Sequence, residues 1–232
     1  MKDLIIKSIK DFLSPYMLKL TFLPILCLFV IWSVIFYYFS SSLFAYLFSF
    51  VDVAFVSSWL SWLEYILDWF FKIAIFLLMC VSFFVFILLS NLIICSFLSP
   101  LVVKYIKDKH YRDMELFDDS SFLSIFSLLK LYISYLFMLL VCIPIYFIPV
   151  LGVCVLLFIN YFFFVKCIVF DVGSLIFGIS SLKQIESNNK SSIRILGGLL
   201  YGISFIPFLN FIVPFFSLIA FSHLLFAKKL QG

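Results

Sequence analysis

Four long gaps between charged residues decide what this chain can become. No Asp, Glu, Lys or Arg lies between Lys19 and Asp52, between Lys72 and Lys104, between Lys130 and Lys166, or between Arg194 and Lys228. Each gap exceeds the roughly 20 apolar residues that a helix needs to cross a bilayer. Apolar residues make up 66% of the chain and charged ones 12%, about half the charged share of a soluble domain. An all-α integral membrane protein follows, and its first partner is the lipid bilayer. The 34 phenylalanines need no binding role, because a low-GC codon bias enriches Phe together with Ile, Lys and Asn.

The same composition removes several function classes. Cys27, Cys80, Cys95, Cys142, Cys154 and Cys167 all lie in or beside apolar runs, without CxxC spacing or a paired His. They read as small packing hydrophobes rather than metal ligands. His110 and His223 are far apart in the chain, with no neighbour in sequence that would orient them. No nucleophile elbow, phosphate-cradling glycine loop or metalloprotease helix is present. The expectation is therefore no enzyme, no cofactor and no metal. A net charge of +4, dispersed along the chain, gives no reason to expect nucleic acid.

The gaps set the topology. Residues 20–51 and 73–103 read as two full transmembrane spans. Ahead of them, residues 1–15 place Leu4, Ile5, Ile9, Phe12 and Leu13 on one helical face and Asp3, Lys7, Lys10 and Asp11 opposite. This is the pattern of a helix lying in the membrane interface, ended by Pro15. A signal peptide is the rival reading, but the apolar run is too long and no small-residue cleavage site follows it. Lys2, Lys7, Lys10 and Lys19 precede the first span, Lys72 alone lies in the loop, and Lys104, Lys107, Lys109 and Arg112 follow the second. By the positive-inside rule the N-terminus is cytoplasmic, and the loop carrying Trp59, Trp62 and Trp69 is outside. Those tryptophans suit an interfacial belt. Residues 104–130 form a cytoplasmic segment, with "KYIKDKHYRDMELFDDSS" continuing the second span as a solvated helix.

The remaining two gaps are interrupted. Pro144, Pro149 and Gly152 cut 131–165, and Pro207, Asn210 and Pro214 cut 195–227. Such clusters of breakers make turns rather than kinks. The arms left on either side, 12 or 13 residues each, reach about 20 Å, short of the roughly 30 Å hydrocarbon core. Cations flank both runs: Lys130; then Lys166, Lys183, Lys190 and Arg194 in the link 166–194; then Lys228 and Lys229. Each run therefore reads as a re-entrant helical hairpin that enters and leaves on the cytoplasmic side, with a cytoplasmic C-terminus. Two kinked spans are the alternative, which would put the basic link outside. A turn at membrane depth must find partners for its backbone, and Asn160 and Asn210 are the natural side chains for that.

"WLSWLEYILDWF", "NLIICSFLSPLV", "YFIPVLG" followed by Asp171, and "LGGLLYGISFIPFLNFIVP" with Gly197, Pro207, Asn210 and Pro214 together resemble the CysZ family of bacterial sulfate permeases. The resemblance implies two full spans, two half-crossing hairpins, a homo-oligomer in the bacterial inner membrane, and sulfate uptake for cysteine synthesis. It also matches Asp171 to an acid after the family's first hairpin, a structural charge. The family's anion motif at the start of the first span, Gly–apolar–Arg, corresponds here to "SPYMLKLTFLP", with Tyr16, Leu18 and Lys19 in its place. Lys supplies a point charge where Arg supplies a fork. What remains as the anion site is Lys19 with Thr21.

Two functions stay open. One is a permease or channel for a small inorganic anion, its path lined by Asn91, Asn160, Asn210 and the hairpin turns (Pro149, Gly152, Pro207, Pro214). The other is a scaffold or accessory subunit of the same fold that transports nothing.

Overall fold

The computed structural model describes residues 2–54, 61–117, 121–146, 148–206 and 208–230. Within these, side chains are described except at 47–54, 61–68, 71, 78, 81, 85, 88, 89, 92, 121–125, 146 and 149. Nine helices are present among these residues: α1 (Lys2–Phe12), α2 (Pro15–Ala54), α3 (Ser61–His110), α4 (Ser121–Val141), α5 (Ile143–Tyr146), α6 (Pro149–Phe177), α7 (Ile179–Asn188), α8 (Lys190–Ile203) and α9 (Leu209–Lys229). Among the described residues three stretches are long and apolar enough to cross a membrane: Pro15–Tyr46, Val150–Phe177 and Leu209–Lys229. Of the expected second span, Lys72–Phe84 stands as a shorter apolar stretch, and α3 runs through the whole of 73–103. The protein is all-helical and multi-pass.

The chain divides into two compact units, Phe22–Ile93 and the union of Met1–Thr21 with Ile94–Gly232. The smaller unit is an antiparallel pair made by α2 and α3. Trp32 donates its indole N–H to Ser90 Oγ at 3.0 Å and stacks on Phe86; Phe29 and Phe36 meet Phe83 edge to face. Leu28, Ile75, Met79, Ile87 and Asn91 are buried in this unit. Trp69 is exposed, as an interfacial anchor should be; Trp59 and the side chain of Trp62 lie outside the described residues.

The larger unit is built round α9. Fourteen of its residues, from Phe211 to Phe226, are buried, as expected of a helix that is apolar on every side. Three stripes pack into the same core: Val102, Val103 and Ile106 of α3; Val165, Ile168, Val169, Val172 and Ile176 of α6; Ile193, Leu196 and Leu200 of α8. Each stripe follows the three-and-four spacing of one helix face. Gly197 lets α8 approach α6 so closely that a Cβ there would collide with Val165. Gly178, at φ 76°, ends α6, and its N–H bonds Ser174 O at 2.9 Å. This left-handed turn suits glycine. At the same end Lys229 donates to Ile176 O at 2.6 Å, a cation on the carbonyl end of α6.

Helices α4 and α6 form an antiparallel hairpin. Tyr135 Oη donates to Asn160 Oδ1 at 2.6 Å, and Tyr132 and Tyr135 pack on Phe163. The turn is held by backbone bonds. Cys142 N–H bonds Met138 O, Ile145 N–H bonds Cys142 O, Ile148 N–H bonds Ile145 O and Gly152 N–H bonds Ile148 O. The turn between α8 and α9 is closed by backbone bonds from Phe205 to Gly202, Ile206 to Ile203 and Phe211 to Phe208, and by the Ser204 hydroxyl, which donates to Tyr201 O at 2.7 Å. Local bonds take up the N–H groups named here, and Asn160 joins α4 to α6.

Two further differences concern helix limits. The hairpin helices outrun the uncharged arms, because α4 begins ahead of Lys130 and α6 continues past Lys166. In the second hairpin the turn occupies 204–208, so Asn210 and Pro214 lie within α9 rather than in the turn. Pro214 cannot donate to Asn210 O and its ring crowds that carbonyl, yet α9 continues through it, buried among its neighbours.

Candidate functional site

α1 does not lie with all its polar residues outward. Ser8 and Asp11 are buried, Leu4 and Phe12 pack on the core, and Ile6, Ile9 and Leu13 are exposed. Asp11, only 2% exposed, sits in the last turn of α1, where the helix dipole disfavours a carboxylate. Donors from two distant segments compensate. Lys109 Nζ, at the end of α3, is 2.8 Å from Asp11 Oδ1. His110 Nε2 lies 2.8 Å from Oδ2 and 3.1 Å from Oδ1. His223 Nε2, on α9 and 1% exposed, is 2.7 Å from Oδ2.

An outer layer holds these groups. Tyr111 Oη is 3.4 Å from His223 Nδ1, and the Tyr111 ring stacks on Phe226 at 4.8 Å. Lys7 Nζ lies over the Tyr111 ring, and Lys109 Nζ over that of Tyr105. Burial by itself raises the Asp11 carboxyl, but the bonds from Lys109, His110 and His223 outweigh it and hold the group below the usual carboxylate range. Asp11 in turn raises Lys109, and burial raises Tyr111. The cluster is thus an anionic carboxylate ringed by nitrogen donors, with two imidazoles and one carboxylate oxygen able to face a common point.

Sequence reasoning placed Asp11 on a solvated face and left both histidines unpartnered, and the structure corrects each placement. One signal was present: an ionisable residue such as His223 inside an apolar run marks a site by default.

The second polar feature is a cavity of about 300 Å³ between α6, α7 and α8. Tyr161, Phe162, Lys166, Glu186, Lys190 and Arg194 contribute to its walls. Tyr161 Oη donates to Arg194 O at 2.9 Å, pinning the start of α8 to α6. Three cations against one carboxylate leave the wall positive, and α8 begins at Lys190 with its first N–H groups at the same end.

Lys19 is exposed, whereas Thr21 is 2% exposed with its hydroxyl donated to Met17 O at 2.8 Å. Asn91 is buried in the smaller unit. Asn160 is bonded to Tyr135, Gly152 is buried in the first turns of α6, and Pro149 starts that helix, its side chain outside the described residues. Asn210 is half-buried at the start of α9, Pro214 is buried further along it, and Pro207 lies outside the described residues. Asp171 is 8% exposed and accepts a 2.7 Å bond from Ser96 Oγ. Asp171 is thus partnered by a hydroxyl.

A family model described as sulfate transporter CysZ/etoposide-induced protein 2.4 matches residues 4–214. The chain belongs to this family. The match takes in α1 and all the helices up to the first turns of α9, and with it most of the chain. Membership of the CysZ/etoposide-induced protein 2.4 family agrees with a multi-pass helical membrane protein of transporter type. No curated protein matches the chain.

Proposed function

We propose that this CysZ-family protein is an inner-membrane permease for a small inorganic oxyanion, sulfate foremost, and not an enzyme. The observation that carries the reading is the cationic cavity at Lys166, Lys190 and Arg194. Arg194 offers a planar fork for an oxyanion, the two lysines offer point charges, and the start of α8 offers backbone N–H groups. Lys19, exposed near the start of α2, is a second cation an anion can meet. Thr21 drops out of the proposed site, because its hydroxyl is already given to Met17.

The hairpins are proposed to dip into the bilayer from the cytoplasm and return, with both termini cytoplasmic. The contacts of Tyr132 and Tyr135 with 160–163 set a register in which Lys130 is level with Lys166. Both are exposed. Only the turn side of that level is free of charge, and its tips present Ile148, Val150, Phe205, Ile206 and Phe208 outward. Exposed apolar tips below a belt of lysines suit a hairpin whose tip sits in hydrocarbon or against a second copy of the chain. The exposed Ile6 and Ile9 of α1, with Leu13 just after it, suit the membrane interface in the same way.

Radiolabelled sulfate uptake into proteoliposomes tests the reading. The native chain is expected to give saturable uptake, with Arg194→Glu abolishing it and Lys19→Glu reducing it. Uptake unchanged in Arg194→Glu would move the path away from this cavity. No uptake above empty liposomes, from protein shown to be folded, would favour the scaffold role. The absence of arginine at residues 16–19 is the observation on that side.

A further inference from the structure

The Asp11 cluster has a feature that a plain ion pair does not need. Both imidazole Nε2 atoms converge on one oxygen, Asp11 Oδ2, from different helices. The three donor atoms lie within 4.8 Å of one another. The geometry points to a divalent transition-metal site of the zinc class at Asp11 Oδ2, His110 Nε2 and His223 Nε2, clamping α1 and the end of α3 onto α9.

The donor set fits. Two imidazoles and a carboxylate suit zinc and its first-row neighbours rather than magnesium or calcium, and three protein ligands leave a fourth position open. Bonds of about 2.0–2.2 Å to a tetrahedral ion would separate the ligand atoms by roughly 3.3–3.5 Å. The Nε2 atoms now stand at 2.7 and 2.8 Å from Oδ2, so the side chains must part by about half an ångström to admit the ion. Each imidazole would then carry its proton on Nδ1 instead of Nε2, leaving the Nε2 lone pair for the metal.

The outer layer is already arranged for that form. Tyr111 Oη stands at His223 Nδ1, where it can accept the relocated N–H. Lys109 occupies Asp11 Oδ1, which leaves Oδ2 as the single ligating oxygen. Such partners fix tautomer and ring orientation in ligating histidines. His110, with its side chain 21% exposed, is the solvent-side member, through which an ion and a water reach the open position.

The test uses the full chain in detergent, with any purification tag removed, stripped by chelator and then given Zn²⁺ alone. Expected are one zinc per chain by elemental analysis and a rise in Tm on zinc addition. Both should be lost in His110→Gln, whose amide can still donate to Asp11 and so should keep the metal-free Tm near native. Co²⁺ in the native protein is expected to show visible ligand-field bands of a tetrahedral site, a readout independent of any variant. A native chain that takes up no stoichiometric zinc and shows no such bands overturns the proposal. So does a His110→Gln chain that binds and is stabilised like the native one, since the cluster would then be a hydrogen-bonded lock alone.

Discussion

Asp11 and His223 lie 212 positions apart in the chain and meet at 2.7 Å, both almost wholly buried. This contact joins the first helix to the last. Because Lys109 and His110 reach the same carboxylate, removing it leaves several donors without an acceptor. Lys109 and His110 can turn to water, but the buried His223 cannot, and a buried donor left without its acceptor costs about 1–3 kcal/mol. Asp11→Ala is therefore expected to lower the Tm of detergent-solubilised protein sharply, and to expose α1 to protease. Lys10→Ala, one position away and exposed, should change neither readout.

The first hairpin rests on a different kind of bond. Tyr135 and Asn160 couple α4 to α6 by a side-chain hydrogen bond. Interhelical hydrogen bonds in membrane proteins average about 0.6 kcal/mol and reach roughly 1.7. A double-mutant cycle of Tyr135→Phe and Asn160→Leu is expected to give a coupling energy in that range. A coupling near zero would mean that the stacking of Tyr135 on Phe163 alone holds the pair.

Glycines in α8 are expected to respond with opposite signs to the same substitution. A Cβ on Gly197 would run into Val165, whereas one on Gly202 meets nothing within 4 Å. Gly197→Ala forces α6 and α8 apart, an overpacking that costs about 1–3 kcal/mol. Gly202→Ala removes backbone freedom from the unfolded chain without a clash, and should stabilise by about 0.4–1 kcal/mol. Thermal unfolding of the two variants side by side decides the matter.

Much of this architecture could be read from where charge stops. The gaps between charged residues mark the long apolar helices because a bilayer admits few unpaired charges. The Pro-rich clusters mark both hairpin turns, since a missing N–H interrupts a helix locally. That same rule overreached at Pro214, because it counts the lost bond and not the packing that surrounds α9, which continues through the proline as one helix. Beyond the lone His223 in an apolar run, the Asp11 cluster was not legible. Its contacts span 98 to 212 residues, and no local periodicity encodes a meeting of α1, α3 and α9. The basic cavity was half legible: Lys166, Lys190 and Arg194 stood out as one cationic link, but only the fold of α6 against α8 turns them toward a common space.

Pro100 shows how a breaker is absorbed inside a long helix. It lies within α3 and has no N–H for the carbonyl of Ser96, four residues back. Ser99 supplies the missing donor, its hydroxyl 2.8 Å from Ser96 O. Ser96 in turn donates its own hydroxyl to Asp171, so the repair also sets the side chain that partners the buried acid of α6. Ser99→Ala should therefore cost about 1 kcal/mol, the net worth of a buried hydrogen bond whose acceptor is left unpaired. In a Pro100→Ala background the restored N–H takes the carbonyl, and Ser99→Ala should cost much less. Equal costs in the two backgrounds would show that Ser99 acts by packing and not by replacing the proline's absent donor.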